Sequence, residues 1–109
     1  MTWHHTPLTL PAIAQHMREI GWHLERQRHD GAWAAFQDGR HLPAGAYRRL
    51  VVMASPEGDW LVLLEHRAPG YVRDLAGLRH VEGLLELDLL LATAGLKSIP
   101  FDRDAVGVR

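Results

Sequence analysis

Residues 47–67 read YRRLVVMASPEGDWLVLLEHR, two apolar runs on either side of SPEGD. A cluster of Ser, Pro, Gly and Asp between two such runs is a turn between antiparallel strands. Within the runs the usual alternation fails. Leu50 and Val52 fall on one side of the first arm, and Val51 and Met53 on the other. In the second arm Leu61 and Leu63 oppose Val62 and Leu64. A strand that is apolar on both sides is normally covered on both sides. One layer of helices cannot do that alone, so this hairpin poses the question of what lies on its second face.

Upstream, residues 22–28 (WHLERQR) and 32–38 (AWAAFQD) flank HDG, where Asp30-Gly31 is a strong two-residue hairpin signal. Four strands in meander order therefore occupy residues 22–67. Before them, Leu10, Ile13, Met17 and Ile20 recur at helical spacing over residues 10–20, opposite Gln15, Arg18 and Glu19. Thr9 stands at the N-cap, Pro11 is tolerated in the first turn, and Gly21 suits the position just past the end. After the strands, residues 68–79 contain Pro69, Gly70 and Gly77 and read as an irregular connection with one helical turn. A second helix is expected over residues 80–94, closed by Gly95. Its apolar positions wrap most of the circumference, and only Glu82, Glu86 and Asp88 break the ring. Such a helix is buried by more than one neighbour. Residues 98–109 then add a small strand pair or one strand with a turn. The expected fold is a single α+β domain over residues 1–109, an antiparallel four-stranded meander with an N-terminal helix, a leucine-rich helix and a terminal strand (α-β-β-β-β-α-β).

Composition bounds the function classes. A chain of 109 residues with 47% hydrophobic and 23% charged residues is an ordinary globular domain. Its net charge of -1 argues against a dedicated nucleic-acid binder. Eleven of the twelve basic residues are Arg, which reads as coding bias. The absence of Cys excludes disulfides, thiolate metal sites and cysteine nucleophiles. No signal peptide is visible at the N-terminus, and the longest apolar segment, residues 84–96, is too short and too charged to span a bilayer. The chain reads as cytoplasmic, with no membrane partner.

No catalytic chemistry announces itself. The eight His are scattered, without an HxxxH on a helix or an HxH on a strand, so surface His is the favoured reading and no metal or cofactor is expected. Ser55, Thr93 and Ser98 sit in no nucleophile elbow, and the glycines form no phosphate loop. Glu65-His66-Arg67, with Asp59 before it, imitates the carboxylate-x-basic element of a metal-dependent nuclease. Both carboxylates belong to one strand, however, and Arg cannot surrender a proton as Lys can. A surplus of apolar surface does carry information, because large exposed apolar patches mark interfaces. A homodimer, or a protein that holds a partner chain, is expected. The candidate partner-binding residues are Trp33, Arg49, Trp60, Leu84, Leu87 and Leu91. Trp33 stands on the weakly apolar side of its strand, and Trp and Arg concentrate at binding surfaces. Arg48 and Arg49 point to opposite faces, with a pairing to Glu65 across the sheet as a hypothesis.

The run LLELDLLLATAGLKSIPFDRDAVGVR resembles the latter part of YbjN-type domains, whose fold is similar to the type III secretion chaperones. The shared features are a leucine-rich helix with a Leu87-Asp88 step, a short strand at Ile99 to Phe101, an acidic turn at Asp102 to Asp104, and a Val-rich strand from Val106. REIGWHLERQRHDGAWAAFQ and EGDWLVLLEHR are similar to that family's helix end, first hairpin and second hairpin. Family members usually continue into a further helix after the last strand, and this sequence ends at Arg109. The resemblance implies a non-enzymatic protein-binding module, chaperone-like or a sensory-transduction or stress regulator, whose uncovered sheet face a second subunit would fill. An immunity-type inhibitor of a bacterial toxin is the alternative from another class, and a metal-dependent nuclease the enzyme alternative.

Overall fold

The computed structural model describes residues 8–39, 42 and 45–94. Over these residues the chain is α+β: α1 (Leu10–Glu19), β1 (Trp22–Gln27), β2 (Trp33–Asp38), β3 (Tyr47–Ala54), β4 (Trp60–Ala68), β5 (Tyr71–Asp74), β6 (Arg79–Val81) and α2 (Leu84–Thr93). The sheet is antiparallel and follows the order β1-β2-β3-β4-β5, with β6 also paired to β4. The expected terminal strand at residues 98–109 lies outside the described residues.

The first helix forms as its sequence dictates. Thr9 caps it by accepting a bond from the Ala12 amide at 3.3 Å. Leu10, Ile13 and Met17 turn inward and are buried. Gly21, at φ +94°, takes the left-handed conformation that lets the chain leave the helix and enter β1. The first hairpin is looser than expected. Trp33 O accepts from the Arg28 amide at 2.9 Å, so residues 29–32 form a four-residue loop rather than a two-residue turn. The Asp30 carboxylate stiffens that loop by accepting from the Ala32 amide at 3.0 Å. The second hairpin closes on Ser55 and Asp59, whose backbones bond at 2.9 Å, with Gly58 at φ +94°.

Two expectations fail after β4. Residues 68–79 are not an irregular connection. Pro69 and Gly70 form a tight turn between Ala68 and its partner Tyr71, and β5 runs back along β4 from Ala68 to Glu65. The Leu75 amide still bonds to Leu64 O at 2.9 Å. Residues 76–78 then leave the edge, with Asp74 Oδ1 accepting from the Ala76 and Gly77 amides at 3.1 and 2.7 Å. The chain returns as β6 against Val62, Leu61 and Trp60. Among the described residues the sheet therefore has six strands instead of four, the last two being successive segments on one edge of β4. For the same reason α2 starts at Leu84 and not at residue 80. His80 and Val81 belong to the β6 ladder, and Glu86 Oε1 caps the helix start by accepting from the Glu82 and Gly83 amides at 2.8 and 3.1 Å.

Both helices pack on one side of the sheet. Ile13 and Met17 of α1 and Leu87, Leu90 and Leu91 of α2 share a single cluster with Phe36, Leu50, Val52, Val62 and Leu64. His16 Nε2 and Asp88 Oδ1, 2.5 Å apart, tie the helices to each other. The expectation that α2 is buried by more than one neighbour is corrected here. Its Leu87 and Leu91 are 1% and 0% exposed, whereas Leu85 and Leu89 are 71% and 52% exposed. Truncating Leu87 or Leu91 to Ala is expected to destabilise the fold by about 2–5 kcal/mol. The same change at Leu85 or Leu89 is expected to stay within about 0.5 kcal/mol. Urea unfolding of the four variants measures this, and equal losses at all four would contradict the placement of α2.

Candidate functional site

Strand parity divides the sheet into an inner face under the helices and an outer face, over which no helix lies among the described residues. The outer residues align in rungs because the register of β2, β3 and β4 is unbroken. Trp33, Met53 and Leu61 form one rung, Ala35, Val51 and Leu63 the next, and Gln37, Arg49 and Glu65 the third. Ala35 and Val51 are buried, and Trp33, Met53, Leu61 and Leu63 are half-buried. Contiguous large apolar side chains on this face thus keep part of their surface in water, where no described helix covers them.

The third rung is polar and internally paired. Arg49 Nε donates to Glu25 Oε2 at 3.0 Å, its terminal nitrogen lies 3.7 Å from Glu65 Oε1, and Arg67 donates to the same oxygen at 3.0 Å. Arg49 does lie across from Glu65, and Arg48 points to the other face opposite His66. The Arg49 guanidinium also lies 5.9 Å from the Trp33 ring centroid, a cation–π contact that joins the polar rung to the apolar one. Glu65 thus serves an ion-pair network. It stands six residues along β4 from Asp59, roughly 20 Å at strand rise, so the two carboxylates of the nuclease-like element do not meet.

Of the sequence-derived candidates, the structure brings Trp33 and Arg49 together on the outer face. It places the others elsewhere. Trp60 is on the inner face, 8% exposed, with its indole N–H donating to Leu8 O at 2.7 Å. Leu87 and Leu91 are core residues, and Leu84 is half-buried against the same core. Trp60, Leu87 and Leu91 are buried and offer no surface to a partner in the folded chain, while Leu84 keeps part of its side chain exposed. The exposed apolar residues on α2 are Leu85 and Leu89. Leu89 borders a cleft of about 240 Å³ between α2 and β6, lined also by Ala76, Arg79, Val81 and Leu90. Helical periodicity alone misassigned the leucines, since seven apolar positions around one helix leave its inward direction undetermined.

Sequence spacing also missed a polar cluster. Glu57, Asp59 and His80 are brought together where the Ser55–Asp59 turn meets β6, and among the described residues they are the group that could hold a metal. His80 Nδ1 lies 2.7 Å from Asp59 Oδ2. The signal was invisible because His80 reaches Asp59 only through the pairing of β6 with β4. Compared with known proteins, the chain matches no family model, no curated protein and no solved structure.

The His80 hydrogen bond holds the Asp59 carboxyl below its ordinary value, against a smaller opposing effect of desolvation. A carboxyl whose folded pKa is depressed contributes stability that is full above its ordinary pKa of 3.8 and is lost as pH falls through the lower folded value. The stability difference between wild type and Asp59→Asn is therefore expected at neutral pH and to shrink below pH 3.8. Urea titrations across that range check it, and a constant difference would refute the assignment.

Proposed function

We propose that this chain is a non-enzymatic protein-binding module that works as a homodimer, the outer face of β2, β3 and β4 packing against the same face of a second copy. The observation that supports this reading is the set of rungs built from Trp33, Met53, Leu61, Ala35, Val51 and Leu63, apolar and without a helix above them among the described residues. Covering such a face gains about 25 cal/mol per Å² of apolar surface removed from water. A second sheet is the natural cover, since two sheets stack about 10 Å apart with interdigitating side chains.

Charge favours a copy of the same chain over a strongly acidic or basic partner. The ion-pair network around the polar rung links Glu25, Arg49, Glu65 and Arg67 with alternating sign. Such a pattern faces its own image across a two-fold axis without bringing like charges into register. The resemblance of the sequence to YbjN-type domains and secretion chaperones agrees with a role in holding protein, chaperone-like or regulatory. The cation–π contact of Trp33 and Arg49 sits at the junction of the apolar and polar rungs. Residues of these two types, packed at the centre of a patch, are the usual anchors of a binding surface.

Light scattering over a range of concentrations tests the reading. Wild type is expected to approach dimer mass, and Leu63→Lys to shift the equilibrium toward monomer by tenfold or more in dissociation constant, about 1.4 kcal/mol. Far-ultraviolet circular dichroism should be unchanged by the substitution. A wild-type chain that stays monomeric at every concentration would remove the proposal.

A further inference from the structure

The corner at the start of β4 holds a set of donors that the outer-face reading leaves unused. Glu57 lies on the turn, Asp59 precedes β4, and His80 comes from β6, where it is paired with Leu61. One ligand atom from each lies within 4.8 Å of the other two. We propose that Glu57, Asp59 and His80 bind a divalent transition-metal cation of the zinc class at this corner.

Three features carry the assignment. The first is geometry. His80 Nδ1 and Asp59 Oδ2 already stand 2.7 Å apart, close enough for one ion to be shared between them in place of a proton. Tetrahedral zinc with bonds of about 2.0–2.2 Å separates its ligands by about 3.4 Å. Glu57, exposed on a three-residue turn, has only a short distance to close. The turn itself is fixed: the Glu57 amide donates to Ser55 Oγ at 3.1 Å and the Gly58 amide to Ser55 O at 3.1 Å.

The second feature is an unused acceptor. Asp59 Oδ1 is buried and has no hydrogen-bond partner, because the Ser55 hydroxyl gives its proton to Glu57 Oε1 at 2.9 Å. A buried carboxylate oxygen without a donor is unfavourable, and a cation beside that carboxylate offsets it. The Asp59 side chain as a whole is 14% exposed, so its position is set by its surroundings. The third feature is the charge and softness of the set. Two carboxylates and one imidazole suit zinc, nickel or copper, whereas an oxygen-only set would suit magnesium or calcium. The nearest cationic side chain in sequence does not compete, because Arg79 turns away and gives its Nε–H to Ala76 O at 2.8 Å.

The test uses the full chain with His4 and His5 replaced by Gln, so that adjacent histidines elsewhere do not contribute a signal. Zinc chloride is titrated by calorimetry, and cobalt chloride is followed by its visible absorption. The expected result is one ion per chain, with the affinity reduced tenfold or more by either His80→Gln or Asp59→Asn. His80 is 58% exposed in its side chain, so His80→Gln leaves the fold intact and separates loss of a ligand from loss of structure. Circular dichroism confirms this for each variant. No heat and no cobalt absorption at millimolar metal would overturn the assignment, and so would binding that His80→Gln leaves unchanged. Dimer mass is measured separately, so the metal site and the association surface fail independently.

Discussion

Among the described residues, two helices of ten residues each cover one face of a sheet whose central strands are apolar on both faces. That mismatch between apolar surface and available cover organises the molecule. On the inner side Leu50, Val52, Val62 and Leu64 are fully or almost fully buried under Ile13, Met17, Leu87 and Leu91. On the outer side Val51 and Ala35 are buried low between larger neighbours, while Trp33, Met53, Leu61 and Leu63 keep part of their surface in water. The hydrophobic effect is proportional to area and indifferent to direction, so the outer face retains a favourable free energy for any matching surface.

β4 makes both faces possible. It is paired over its whole length on one edge by β3, and on the other edge by β5 near its end and by β6 near its start. The excursion of residues 76–78 between those two segments keeps the register, so the alternation of β4 passes without a slip to both. A single-residue slip would exchange the two faces and put Arg49, Glu65 and Asp59 where the helices pack. The ion pairs around Arg49 resist that exchange. They contribute little free energy individually at a partly exposed site, but they are mutually consistent only in this register.

The same pairing creates the polar corner. Glu57 and Asp59 lie 21 or more residues from His80 in the chain, and the antiparallel return of β6 closes that interval. The polar corner and the apolar outer face lie side by side, since His80 shares its rung with Leu61, Met53 and Trp33.

Much of this was legible in the residues. The cap at Thr9, the stripe of Leu10, Ile13 and Met17, the four strands of the two hairpins, the outward Trp33 and the pairing of Arg49 with Glu65 all follow from local turn chemistry and from periods of 3.6 and 2. Each depends on near neighbours or on a hairpin register that a short turn imposes. β5 was legible in principle too, since Pro69-Gly70 between Ala68 and Tyr71-Val72 is a tight-turn signal and not merely a break. Other features were decided only in three dimensions. The inward side of a helix rich in leucine depends on what it packs against, which is why Leu87 and Leu91 are core while Leu85 and Leu89 are not. Trp60 is inward because it shares strand parity with Val62 and Leu64, the side on which the helices pack, and its indole N–H finds Leu8 O there. His80 belongs to Asp59 because two distant segments share one strand edge. Sequence alone determined which side chains could avoid water. Tertiary structure decided which of them do, because burial is settled by contacts between segments far apart in the chain.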